Sequence, residues 1–169
     1  RVDECRSAAY ALKAYAGMDY GKFEETHLRD VPYDVYLQYK DKLPENWRKR
    51  AEHFYTEFER VKNGAEAWRN GDIEEFGRLS FESGKSSIYN WETGSPELKK
   101  LYEIMINTDG IYGGRFSGAG FRGCCIAFID PDFEETALRN VYENYSSAFP
   151  QLASKYSAHI CDTADGVLI

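Results

Sequence analysis

Ser117, Gly118, Ala119, Gly120, Phe121, Arg122 and Gly123 stand between two β-capable runs, and their types suit the binding of an anion. Glycine reaches backbone angles closed to most other residues, and its missing side chain lets a ligand approach the main chain. A turn built this way can aim several N–H groups at one negative centre. Ser117 adds a hydroxyl, and Arg122 a charge able to form a contact of roughly 1.5–3 kcal/mol. Arg115 either reaches the same place or flanks it. The other reading is a wide hairpin whose glycines only solve a turning problem and whose arginines are solvated.

Other chemistry is harder to find. The turn lacks the Gly-Lys-Ser/Thr ending of a P-loop, and its glycines do not fit a dinucleotide-binding turn. His53 lies beside an apolar helix face and reads as structural; His27 and His159 are remote from it, and no metal-ligand spacing joins the three. Ser80, Ser83, Ser86 and Ser87 could touch a substrate, cap a helix or face solvent. Asp162 and Asp165 occupy a turn, where backbone capping explains them. Adjacent Cys124 and Cys125 would point to opposite faces of a strand and cannot chelate together. With Cys5 and Cys161 they read as reduced, small apolar residues, a structural disulfide being the minority reading. No Ser-His-Asp or Cys-His constellation is legible.

Several elements must position this turn. Val2, Cys5, Ala9, Leu12 and Ala16 share one helical face that ends near Gly17. Tyr33 to Lys42 predicts a short helix between Val31-Pro32 and Leu43-Pro44. Ala51, Phe54, Phe58, Val61, Ala65 and Trp68 describe a long amphipathic helix stopped near Gly71. Asp72 caps the next helix, with Glu75 at capping-box spacing, and so short a link predicts antiparallel packing. Ser80, Ser83, Ser86 and Ser87, with Gly84 among them, precede Ile88-Tyr89-Asn90-Trp91, where periodicity fades. Ser95 then reads as an N-cap with Pro96 at the first helical position. The two strands follow, then a helix capped by Asp132 and Glu135, and short β candidates at His159–Cys161 and Gly166–Ile169. This order predicts an α+β fold, an antiparallel sheet packed with several helices, in one domain spanning residues 1–169.

The composition sets outer bounds. Of 169 residues 43% are apolar, enough for a sizeable core. A formal charge of −7 and the lack of a basic stripe disfavour a nucleic-acid surface. No apolar run reaches the length of a membrane span, so no membrane partner is expected and a cytoplasmic location is the default. Arg1-Val-Asp-Glu-Cys5 enters helical periodicity without a methionine or a cap, which predicts that the chain is the C-terminal piece of something longer.

Gly114-Arg-Phe-Ser-Gly-Ala-Gly-Phe-Arg-Gly-Cys124 resembles the third conserved motif of the GHMP small-molecule kinases, nearest to the galactokinase and galacturonokinase branch. Further blocks in the same order are similar to that branch: Arg1-Val-Asp-Glu-Cys-Arg-Ser-Ala-Ala9, Leu28-Arg-Asp30, Arg50-Ala-Glu-His53, Gly71-Asp-Ile-Glu-Glu-Phe-Gly77, Ser95-Pro-Glu-Leu98 and Tyr112-Gly-Gly114. The resemblance implies a ferredoxin-like C-terminal domain of a two-domain enzyme that passes the ATP γ-phosphate to a sugar, galactose or galacturonate, usually at its anomeric hydroxyl. It implies a cofactor-side role for Ser117, Gly118, Ala119, Gly120, Phe121 and Gly123, in which backbone donors stabilise charge on the moving phosphoryl group. Arg122 stands where ordinary galactokinases commonly have glycine, and Ser117 where many have threonine; Arg122 either contacts an anionic sugar or faces solvent. ATP and Mg2+ belong to the parent protein, whose N-terminal domain in cis would carry the sugar site, the main ATP loop and the catalytic aspartate. The chain alone is therefore expected to be inactive and to hold no cofactor by itself. The competing reading is a non-catalytic ligand-binding or regulatory domain that keeps the family fold.

Overall fold

The first half of the chain is helical because three apolar faces need one another. The computed structural model describes residues 1–162. Helix α1 (Val2–Tyr15) buries Ala8, Ala9 and Leu12 against α2 (Tyr33–Tyr39) and α3 (Glu45–Arg69). Leu28, Val31, Tyr36, Leu43, Ala51 and Tyr55 complete this core. The Tyr55 hydroxyl donates to the carbonyls of Leu28 (3.1 Å) and Val31 (2.9 Å), fastening an irregular connection to α3. Pro44 is the N-cap of α3, seven residues before Ala51, the first residue of the predicted stripe.

The predicted link between α3 and α4 (Ile73–Tyr89) holds. The Asp72 side chain accepts from the Glu75 N–H at 3.0 Å. Contacts run Trp68–Phe76, then Glu57–Ser83, then His53–Ser86, so the two helices are antiparallel. Helix α4 runs through the serines and ends at Tyr89, within the stretch where periodicity fades, and Ser83, Ser86 and Ser87 are buried. The Phe58, Val61, Ala65 and Trp68 half of the α3 stripe is exposed; Arg50, Ala51, Tyr55, Gly64 and Ala67 are buried instead. Gly64 is buried against α4, where a Cβ built on it would meet the Phe76 ring at an ordinary contact distance of 3.7 Å.

Ser95 caps α5 (Pro96–Ile106) through its side chain, as the Ser-Pro pair predicts. Strands β1 (Ile111–Ser117) and β2 (Cys124–Ile129) pair antiparallel, with Arg115 opposite Ile126 and Phe116 opposite Cys125. Phe116 and Cys125 pack with Leu98, Tyr102 and Met105 in a second core. At Gly77 and Gly113 helix α4 meets β1 backbone to backbone: a Cβ at Gly77 would fall inside the carbonyl of Tyr112, and one at Gly113 inside that of Gly77. The fold is α+β, a small antiparallel sheet packed against helices, as expected.

Two local expectations fail. Helix α6 (Glu134–Ala148) follows a short 3-10 turn whose cap is Asp130, accepting from the Asp132 N–H; Asp132 does not cap. Residues His159–Cys161 form no strand among the described residues, and Gly166–Ile169, with Asp165, lie outside them.

Candidate functional site

Three glycines of the turn hold positive φ: Gly118 at 92°, Gly120 at 79° and Gly123 at 109°. Their placement is enforced from two sides. Phe116, 3% exposed, anchors the end of β1 in the second core, and a Cβ at Gly120 would stand 2.5 Å from its ring. On the far side the Ser95 N–H donates to the Gly120 carbonyl at 2.7 Å, tying the turn to the first residue before α5. The Ser95 hydroxyl meanwhile accepts from the Leu98 N–H at 3.3 Å. One residue thus caps the helix and holds the turn.

The structure brings the predicted residues together on one surface. Ser117, Gly118, Ala119, Phe121, Arg122 and Gly123 are exposed, and Gly120 alone is buried. The N–H groups of Gly118, Ala119, Gly120, Phe121 and Arg122 donate to no protein acceptor among the described residues. A run of such donors on a fixed bend is a concentration of positive partial charge. Arg122 makes no ion pair among the described residues, so its guanidinium is available beside that bend.

Arg115 is resolved differently. Its Nη1 donates to Ser83 Oγ at 2.6 Å and lies 3.1 Å from Glu57 Oε1, so it belongs to α3 and α4 and not to the turn. Glu57 also receives Arg60 Nε at 2.9 Å and the Ser83 hydroxyl. Burial pushes the Glu57 carboxyl up, but the Ser83 hydrogen bond and the two arginines outweigh it and hold the group below its ordinary value. This network beneath β1 was not legible in the sequence. Glu57 and Arg60 show helical spacing, yet nothing local joins them to Arg115.

The remaining candidates have structural partners. His53 Nδ1 lies 2.9 Å from Ser86 Oγ, and the ring rests against Trp91 at 5.1 Å between centroids. Burial lowers the pKa of His53. His27 sits at the N-cap of a 3-10 turn with Asp30, and His159 is exposed. All four cysteines are free; burial pushes the Cys125 thiol up to about 12. A cavity of about 320 Å3 lies on the Arg115 side of the sheet, lined by Glu57, Arg60, Val61, Phe76, Ser83 and others, and none of its lining residues belongs to the turn.

Comparisons with known proteins give this geometry its context. The profile of the family described as GHMP kinases C terminal matches residues 65–149, from the last turns of α3 to the end of α6. The chain is 42% identical over 173 residues to the galacturonokinase of Arabidopsis thaliana, covering 100% of this chain and 40% of that protein. It is 34% identical over 168 residues to the galactokinase of Roseiflexus sp. (strain RS-1), covering 99% of this chain and 40% of that one. A crystal structure of Lactococcus lactis galactokinase complexed with galactose superposes with a TM-score of 0.71 at 26% identity, over 86% of this chain and 36% of that one. The chain thus spans about 40% of the length of these two curated relatives. By profile, sequence and fold together, it belongs to the GHMP kinase C-terminal domain family and is related to galactokinases and galacturonokinases.

Proposed function

We propose that this chain is the C-terminal domain of a two-domain, ATP-dependent sugar kinase, and that the glycine turn forms the phosphate-side wall of its cleft. The observation that carries this reading is the run of five amides, Gly118 to Arg122, that donate to no protein acceptor among the described residues, on a bend clamped by Phe116 and Ser95. Their chemistry fits a phosphate, since the turn offers N–H groups and a hydroxyl and no carboxylate. It lacks the carboxylate by which proteins usually hold magnesium. No group of three or more His, Cys, Asp or Glu side chains suited to a metal ion occurs among the described residues, so the ligands of Mg2+ are assigned to the remainder of the parent.

When bound, ATP supplies the phosphoryl group that ends on the anomeric oxygen of the sugar. Residues of this chain contribute fixed donors. The amides of Gly118 to Phe121, with Ser117 Oγ, stabilise negative charge on the transferring group without reorganising, because the bend is already set. Gly123 closes the turn at a φ that other residues rarely adopt. Phe121, 53% exposed, supplies an apolar wall next to those donors.

For substrate class we infer an acidic sugar, galacturonate over galactose. Identity is higher to the galacturonokinase, 42% against 34%, and Arg122 places beside the bend a cation with no ion pair among the described residues. Arg122→Gly in the full-length parent is expected to lower kcat/KM for galacturonate by roughly 10- to 100-fold, the value of one charge-assisted contact. Galactose should be little affected. Equal losses for both sugars overturn the assignment of Arg122. The purified 1–169 chain should show no steady-state phosphorylation of either sugar, and turnover by it would refute the division of labour between domains.

A further inference from the structure

Helix α3 buries a guanidinium beside the segment that follows α4. Arg50 is 3% exposed, and it donates at 2.6 Å to Glu4 of α1 and to Glu92, and also to the Asn90 carbonyl. Lys49 adds a second contact to the Glu92 carboxylate at 3.2 Å. Packing of α1 on α3 does not call for this, since an apolar side chain in place of a buried ion pair is often neutral or stabilising. What a fork of fixed direction adds is control over where its acceptors lie.

Two of those acceptors sit on the way to the clamp that holds the glycine turn. Glu92 is the one non-glycine residue with positive φ among the described residues, at 56°, and Gly94 follows at 101°. Such a conformation persists in an L-residue only where its surroundings hold it. From it Thr93 folds back onto α4, its N–H and hydroxyl both donating to the Ser87 carbonyl at 3.0 Å. Gly94 and Gly120 lie against the same ring: a Cβ on the first would stand 2.8 Å from Phe116, and one on the second 2.5 Å. The next residue is Ser95, whose N–H donates to the Gly120 carbonyl.

We infer that Arg50 is a positioning residue for the amides of the turn. It grips the Glu92 carboxylate and so fixes the resting shape of the bend from Glu92 to Gly94, and that bend delivers Ser95 to Gly120. The inference rests on the reading of the turn as the phosphate-side wall of a kinase cleft. Arg50 touches no substrate in this scheme; it keeps the donors of Gly118 to Arg122 in place before the phosphoryl group moves. Loss of the grip therefore weakens stabilisation of the transition state and leaves sugar binding alone.

Kinetics and amide exchange on the full-length parent test this together. Glu92→Gly removes the carboxylate while glycine accepts the same φ, so this variant is expected to fold. It should lower kcat roughly 10- to 100-fold, with the sugar KM changed by less than about twofold. The Ser95 amide, followed by NMR with labelled serine, should exchange faster relative to that of Ser86 within α4. A pair that only adds stability would leave both readouts unchanged well below the midpoint of unfolding. Arg50→Lys should act in the same direction as Glu92→Gly. Arg78→Gln, which breaks an exposed pairing with Glu75 and Glu82, should move neither readout. An unchanged kcat in folded Glu92→Gly overturns the inference, and so does a fall in kcat with the Ser95 amide as slow as before. An inactive parent whose Ser95 amide still speeds up in the variant refutes the kinase reading alone, whereas an active one with neither change refutes the positioning role alone.

Discussion

Adding one methyl group at Gly120 should cost far more than adding one at Gly118, although both glycines have positive φ in the same turn. At Gly118, with φ of 92°, a Cβ meets nothing within 4 Å, so alanine pays only backbone strain, roughly 1–2 kcal/mol. At Gly120, with φ of 79°, the same Cβ stands 2.5 Å from the buried ring of Phe116. That ring cannot withdraw without disturbing Leu98, Tyr102 and Met105, and overpacking adds roughly 1–3 kcal/mol. The expected totals are roughly 1–2 kcal/mol for Gly118→Ala and 2–5 kcal/mol for Gly120→Ala. Urea unfolding followed by circular dichroism would read this as a shift in midpoint at unchanged slope. Equal losses at the two positions, or a loss at Gly120 below that at Gly118, would refute the claim that the second core sets the shape of the turn.

Two further outcomes follow from the ion pairs. Glu57→Gln leaves Arg60 and Arg115 without their shared carboxylate and should cost roughly 1–3 kcal/mol, discounted for partial solvent access. Because the folded Glu57 pKa is depressed, its contribution is complete above the ordinary carboxylate value and is lost as pH falls through the folded one. Stability of the parent chain should therefore fall on acidification more steeply than that of Glu57→Gln; identical pH profiles would refute the assignment. Arg50, 3% exposed, donates at 2.6 Å to both Glu4 and Glu92 and also to the Asn90 carbonyl. Lysine cannot reproduce that fork. Arg50→Lys should lower stability by roughly 2–4 kcal/mol in thermal unfolding, and a change below 1 kcal/mol would show that charge alone matters there.

The parts of this molecule that were legible in the sequence are those decided within a few residues. Ser95-Pro96 and Asp72 to Glu75 announce helix starts, and both caps form. Gly118, Gly120 and Gly123 announce a turn needing positive φ, and all three adopt it. Where partners are distant, local reading failed. The use of the α4 serines in packing was hidden because their partners, Glu57 for Ser83 and His53 for Ser86, lie on another helix. Periodicity identified α3 as a helix with Ala51 on its buried face, but the Phe58 to Trp68 half of the stripe is exposed. The buried side is instead the one carrying Arg50, Ala51, Tyr55, Gly64 and Ala67, set by packing against α1 and α4. Arg115 could be placed only once β1 was laid across α3 and α4, 58 positions from Glu57. Within the turn, the clamp from Ser95 was invisible for the same reason, since a main-chain donor leaves no mark in side-chain type.

The junction of α4 and β1 at Gly77 and Gly113 behaves as a weld. Ordinary element contacts are made of side chains that change rotamer, so small slips can be absorbed there. Here the facing surfaces are peptide groups, which have no rotamers to change. Helix and strand must then shift as one body, carrying the start of the glycine turn with them. Any opening or closing of a cleft around that turn has to be taken up at the flanking bends, above all at Glu92 to Gly94, where both named residues hold positive φ.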